Sequence, residues 1–72
     1  MLVSDLIRLA SVGGGFKVDC KQKMVSDIIR IVAAARNNNS VIVLENTEGI
    51  LLSDKIRIAA VGAGCVFFNE SL

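Results

Sequence analysis

The chain has no histidine, no tryptophan and no tyrosine, and only two cysteines and three phenylalanines in 72 residues. Each shortage removes a class of chemistry. Without histidine, neither thiol has the partner that activates a Cys–His nucleophile. Two cysteines alone make a poor metal set, and they do not supply the disulfide framework that holds many very small domains together. Charge of one sign is also missing. Eight basic residues stand against seven acidic ones, for a net charge of +1. That is no electrostatic signature for a nucleic acid or an anionic membrane, and neither partner is expected. No apolar run approaches the roughly 18 residues of a membrane span; the richest, "IIRIVAAAR", contains Arg30. Asp5 and Arg8 interrupt the apolar start, so no export signal is expected. The expected location is the cytoplasm, with reduced thiols.

What is present is the composition of a folded chain, 53% apolar and 21% charged. The length predicts one small domain over residues 1–72. A chain this short rarely gains more than about 3–5 kcal/mol from a single core. A partner subunit is the remedy left open.

An internal repeat is the strongest feature. Three segments align without gaps: "SDLIRLASV" from Ser4, "SDIIRIVAA" from Ser26 and "SDKIRIAAV" from Ser53. Each is followed by a polar or glycine-rich break and a β-rich run: "FKVDC", "VIVLEN" and "CVFFNE". Each unit reads as a helix and then a strand. The serine is a natural N-cap, and the aspartate behind it suits the positive end of the helix dipole. The columns Leu6/Ile28, Ile7/Ile29/Ile56, Leu9/Ile31/Ile58 and Ala10/Val32/Ala59 are expected on the core face, with the arginines opposite. Lys55 interrupts the first of these, where its stem can snorkel to water.

From Phe16 to Val41 is 25 residues, and from Val41 to Cys65 is 24. Helices and strands alternating at that interval imply parallel strands with crossover helices. The predicted fold is therefore α/β: a three-stranded parallel sheet, helices mainly on one face, in a short solenoid-like array. Aligning the strands at Phe16, Val41 and Cys65 puts Phe16, Val18, Val41, Val43, Cys65 and Phe67 on one face. Lys17 and Asp19 then share the other with Ile42, Leu44, Val66 and Phe68. Lys17 and Asp19 make the first strand an edge, which favours order 1-2-3 and leaves 1-3-2 as the alternative. Under order 1-2-3 the second face of strands two and three has no cover within one chain. Each such side chain is worth about 1.5–3 kcal/mol when buried. Ile42, Leu44, Val66 and Phe68 are thus the expected self-association site of a homodimer.

"SVGGGFKV" (11–18) looks like a phosphate loop, but its order is helix, glycines, strand. A phosphate loop needs a helix N-terminus after the glycines, and here a helix C-terminus precedes them. The glycines Gly13 and Gly62 are expected as left-handed C-caps, a task that "NNN" (37–39) takes in the middle unit. Arg8, Arg30 and Arg57 form an exposed column that is a candidate anion-binding ridge. An aspartate stands three residues before each, so a solvated, salt-bridged face is favoured over it. Cys20 and Cys65 are expected in non-neighbouring strands as free thiols. Glu45, Asn46, Thr47 and Glu48 lie where α/β sheets hold ligands, yet nothing else converges on them. No cofactor, metal or small-molecule ligand is called for. The function expected is a non-enzymatic, self-associating interaction or structural module, the alternative being a binder of an anionic partner.

Overall fold

The computed structural model describes residues 1–70. Helices and strands alternate as α1 (Val3–Ser11), β1 (Phe16–Asp19), α2 (Val25–Asn37), β2 (Ile42–Glu45), α3 (Leu52–Gly62) and β3 (Val66–Phe68). The strands form one open parallel sheet in the order β1-β2-β3. Right-handed crossovers in that order place α2 and α3 on the same face. α2 sits between α1 and α3 and packs on both.

The helices start two residues earlier than serine caps would set them. Leu2, Met24 and Leu51 are the extended cap residues. Their carbonyls accept the first helical bonds, from Leu6, Ile28 and Lys55 N–H. Ser4, Ser26 and Ser53 therefore lie inside the first turn and are not caps. The aspartate falls in that same turn, near the positive end of the dipole. In α1 it also reaches back, accepting the Leu2 N–H on Oδ2 at 3.3 Å.

The helix ends follow the expectation in two units and depart from it in the third. Gly13 has φ +88°. Beside it, Gly14 N–H donates to Leu9 O and Gly13 N–H to Ala10 O, the paired bonds of a Schellman motif. Asn39, at φ +56°, plays the same part after α2, with Ser40 N–H donating to Ala35 O. After α3 the left-handed residues are Ala63 and Gly64, whereas Gly62 belongs to the helix. Gly62 is required for a different reason. A Cβ there would stand 2.5 Å from Val66 Cγ1, so the missing side chain lets α3 close onto β3.

The core lies between the helices and one sheet face. Six of the eleven buried apolar side chains among the described residues come from the middle unit: Ile28, Ile31, Val32, Ala35, Ile42 and Leu44. The buried Ser40 ties that unit to the first, its Oγ donating to Ala10 O at 2.7 Å.

Candidate functional site

The register decides which surfaces are open. Phe16 is level with Ile42 and Val66, Lys17 with Val43 and Phe67, and Val18 with Leu44 and Phe68. Successive side chains on a strand point to opposite faces. Phe16, Val18, Ile42, Leu44, Val66 and Phe68 therefore share the face beneath the helices. Ile42 and Leu44 are 0% exposed there, and Val66 and Phe68 are half-buried. This corrects the expected faces: the face expected to lack a cover is the one that has it. The cause is a slip of one residue. Val41 precedes β2 and lies beside Gly15, where an added Cβ would stand 2.9 Å from Val41 O. A slip of one in a period of two exchanges every inward residue for an outward one.

A usable signal for the true register was in the sequence. Asp19, Glu45 and Asn69 each follow a run whose first and third residues are apolar. Aligning on these polar ends recovers the observed pairing. Asp19 is level with Glu45, and Asn69 Nδ2 donates to Glu45 Oε2 at 3.0 Å.

The open sheet face has an apolar part and a polar part. Val41, Val43 and Phe67 make up the first, with Phe67 57% exposed. Lys17, Asp19 and Glu45 make up the second. It is a smaller apolar surface than the four residues expected.

At the C-terminal ends of the strands lies a cleft of about 630 Å³, lined by Cys20, Lys21, Lys23, Asn46, Glu48 and Asp54 among others. This is the edge where α/β sheets hold ligands. The loops there are tied to one another. Asn46, in the left-handed region at φ +57°, donates from Nδ2 to Asp19 Oδ1 at 3.0 Å. That bond, followed by the one from Lys21 N–H, holds the Asp19 carboxyl below its ordinary range. Lys23 Nζ donates to Asp19 O at 3.0 Å. Burial pushes the Cys20 thiol up to about 11, so it stays protonated at neutral pH, and its Sγ–H points to Val18 O. A protonated thiol is a poor nucleophile. The acidic cluster does not act as a pair. Glu45 faces the open side of the sheet, Glu48 lines the cleft, and Thr47 is buried with its hydroxyl donating to Glu70.

Lys55 takes part in a tie that the sequence did not reveal. Its ammonium reaches Glu70, just beyond β3. Lys55 first, and then the Thr47 hydroxyl, hold the Glu70 carboxyl below its ordinary range. Glu70 thus fastens the end of β3 to the β2–α3 loop through Thr47 and to the first turn of α3 through Lys55.

The arginine column is exposed as expected. Arg30 pairs with Asp27 at 3.6 Å and Arg57 with Asp54 at 3.4 Å. Asp5 serves its own helix terminus. Cys20 and Cys65 are free, and each lies one residue outside its strand, at opposite ends of the sheet. No helix among the described residues is long and apolar enough to cross a membrane.

Comparison with protein-family models, with curated proteins and with solved structures finds no match for this chain.

Proposed function

We propose that the chain is a non-enzymatic, self-associating structural or interaction module built as a short solenoid-like array. What supports this reading is the amount of large apolar surface outside a small core. Phe67 on the sheet, Val12 on the first unit, and Leu52 and Ile56 on α3 all stand in solvent. A chain of this size gains little from its own core, and exposed apolar side chains that adjoin one another, as Leu52 and Ile56 do one helical turn apart, mark an interaction site. Covering such side chains contributes about 25 cal/mol per Å² removed from water. The expected partner is a further copy of the same chain. Sedimentation velocity across the micromolar range tests this. Growth of mass with concentration beyond the 7.7 kDa chain is expected, and a monomer at high micromolar concentration sinks the reading.

A second reading uses Arg8, Arg30 and Arg57, which occupy one outward column on three adjacent helices. Such a ridge suits a polyanion. Arg30→Glu would then weaken retention on immobilised polyphosphate without changing the sedimentation of the free chain. It ranks lower because carboxylates neutralise two of the three arginines.

A further inference from the structure

The three helices carry matching residues in matching columns, and burial along those columns changes in an ordered way. Val3 and Val25 are half-buried, but their counterpart Leu52 is 72% exposed. Ile7 and Ile29 are half-buried, but Ile56 is 60% exposed. Ala10 and Val32 are buried, but Ala59 is exposed. Other columns run the opposite way. Leu9 is 37% exposed, whereas Ile31 and Ile58 are fully buried. Val12, just past α1, is 82% exposed, whereas Ala34 and Val61 are half-buried.

Helix geometry explains both sets. Residues two apart lie about 200° around the axis, so the Ile7 and Leu9 columns face opposite flanks. α2 has α1 on one side and α3 on the other. The Ile7 set is covered in α1 and α2 and bare in α3, so it faces the following helix. The Leu9 set is bare in α1 and covered in α2 and α3, so it faces the preceding helix. Each internal helix contact is thus a forward flank against a backward flank. The forward flank of α3 and the backward flank of α1 are the two halves of that same contact left without a neighbour. β3 and β1 are likewise the two free edges of the sheet.

Repeat arrays ordinarily finish in polar faces that keep their ends soluble. Both ends here instead leave large apolar side chains exposed, Leu9 and Val12 on one and Leu52 and Ile56 on the other. A twofold contact would set α3 against α3, forward flank on forward flank, a pairing the molecule makes nowhere. We infer that a second copy of this chain covers each end by stacking head to tail, continuing the α1–α2–α3 packing from one copy to the next. This rests on the self-association proposed above and specifies its geometry. Leu52, Ile56 and Ala59 of one copy seat in the shallow groove lined by Met1, Leu9 and Val12 of the next, with Asp5 and Arg8 at its polar side. The small Ala59 lets the helix backbones approach. β3 comes beside β1 of the next copy and extends the row Lys17–Val43–Phe67 with another lysine. Packed helices need about 8–10 Å of width and paired strands about 4.8 Å. The stack therefore bends with the sheet on its concave side, and closes as a ring or grows as a fibre.

The test uses one variant for each flank. Ile56→Glu blocks the forward flank and Leu9→Glu the backward one; both sites are solvent-exposed, and circular dichroism verifies the fold. If Leu9→Glu does not fold, Val12→Glu replaces it. Each variant alone is expected to sediment as a 7.7 kDa monomer where the native chain is larger. An equimolar mixture is expected to form a 1:1 dimer and stop, because each variant keeps one working flank. Three outcomes overturn the inference. If both variants associate as the native chain does while Phe67→Asp dissociates, self-association stands but runs through the sheet face. If the variants are monomeric and their mixture is too, the two flanks do not complement each other. If the native chain stays monomeric at high micromolar concentration, this inference and the self-association reading both fail.

Discussion

The middle unit and the two end units are built from nearly the same sequence and are buried very differently. Ile31 of α2 is fully buried, and Leu9, in the same column of α1, stands partly in water. Ile29 of α2 is half-buried, and Ile56 of α3 is exposed. The residue types match, so the difference comes from neighbours: α2 has a helix on each side, and α1 and α3 have one each. The same apolar side chain is core in one place and surface in another.

The largest expected effect bears directly on this contrast. Ile31→Ala should cost about 2–5 kcal/mol, the range for buried large-to-small changes. In dilute solution that is enough to remove the cooperative urea transition of a small domain. Leu9→Ala, in the same column, should cost less than half as much. Equal losses in the two variants would break the contrast between middle and end.

A smaller effect tests the closure of α3 on β3. Gly62→Ala should cost about 1–3 kcal/mol by overpacking, offset by up to about 1 kcal/mol of helix propensity. Val66→Ala should relieve that clash, so the double variant should be more stable than the sum of the single losses predicts. Strict additivity in chemical melts would mean that the two residues do not press on each other.

Ser40→Ala removes the tie between the middle unit and α1. Its cost should be about 0.5–1.5 kcal/mol, the net worth of one hydrogen bond. The loss stays at that level because Ala10 O also accepts from Gly13 N–H at 3.2 Å. A markedly larger loss would show that Ser40 does more than join the two units.

The smallest effect concerns acid. Glu70 and Asp19 both have carboxyls held below their ordinary ranges in the folded chain, Glu70 by Lys55 and then Thr47, Asp19 by Asn46 and then the Lys21 N–H. A depressed folded value contributes stability above the unfolded carboxylate range, near pH 4, and that contribution is lost as pH falls through the lower folded value. Stability should therefore decline slightly on acidification in that window. Glu70→Gln should flatten the decline. An unchanged acid limb in that variant would remove Glu70 from the account, leaving Asp19.

Much of the architecture was legible in advance. The recurring Ser-Asp, the arginines and the helical spacing of apolar residues located three helices. The alternation in "FKVD" identified β1 as an edge and led to the order β1-β2-β3. Aligning the strands on their first apolar residues does not reveal the faces of the sheet. The breaks between helix and strand differ in length, and nothing in the run "SVIVLE" alone says whether Val41 or Ile42 begins the pairing. The expected association residues therefore fell on the covered face. The ties of Ser40 to Ala10 and of Lys55 and Thr47 to Glu70 join residues 15 to 30 positions apart. No local pattern points to bonds at that range.

The sequence by itself determined the local elements: where helices run, which of their faces are apolar, and that strands alternate with them. Those properties follow from periodicity and backbone preference within one segment. The tertiary structure alone decided which apolar residues are core. Burial of a side chain depends on what stands across from it, and that is set by strand register and by the number of helices beside each helix. Ile31 and Leu9 make the distinction concrete, as do Leu44 and Val43 on the two faces of one strand.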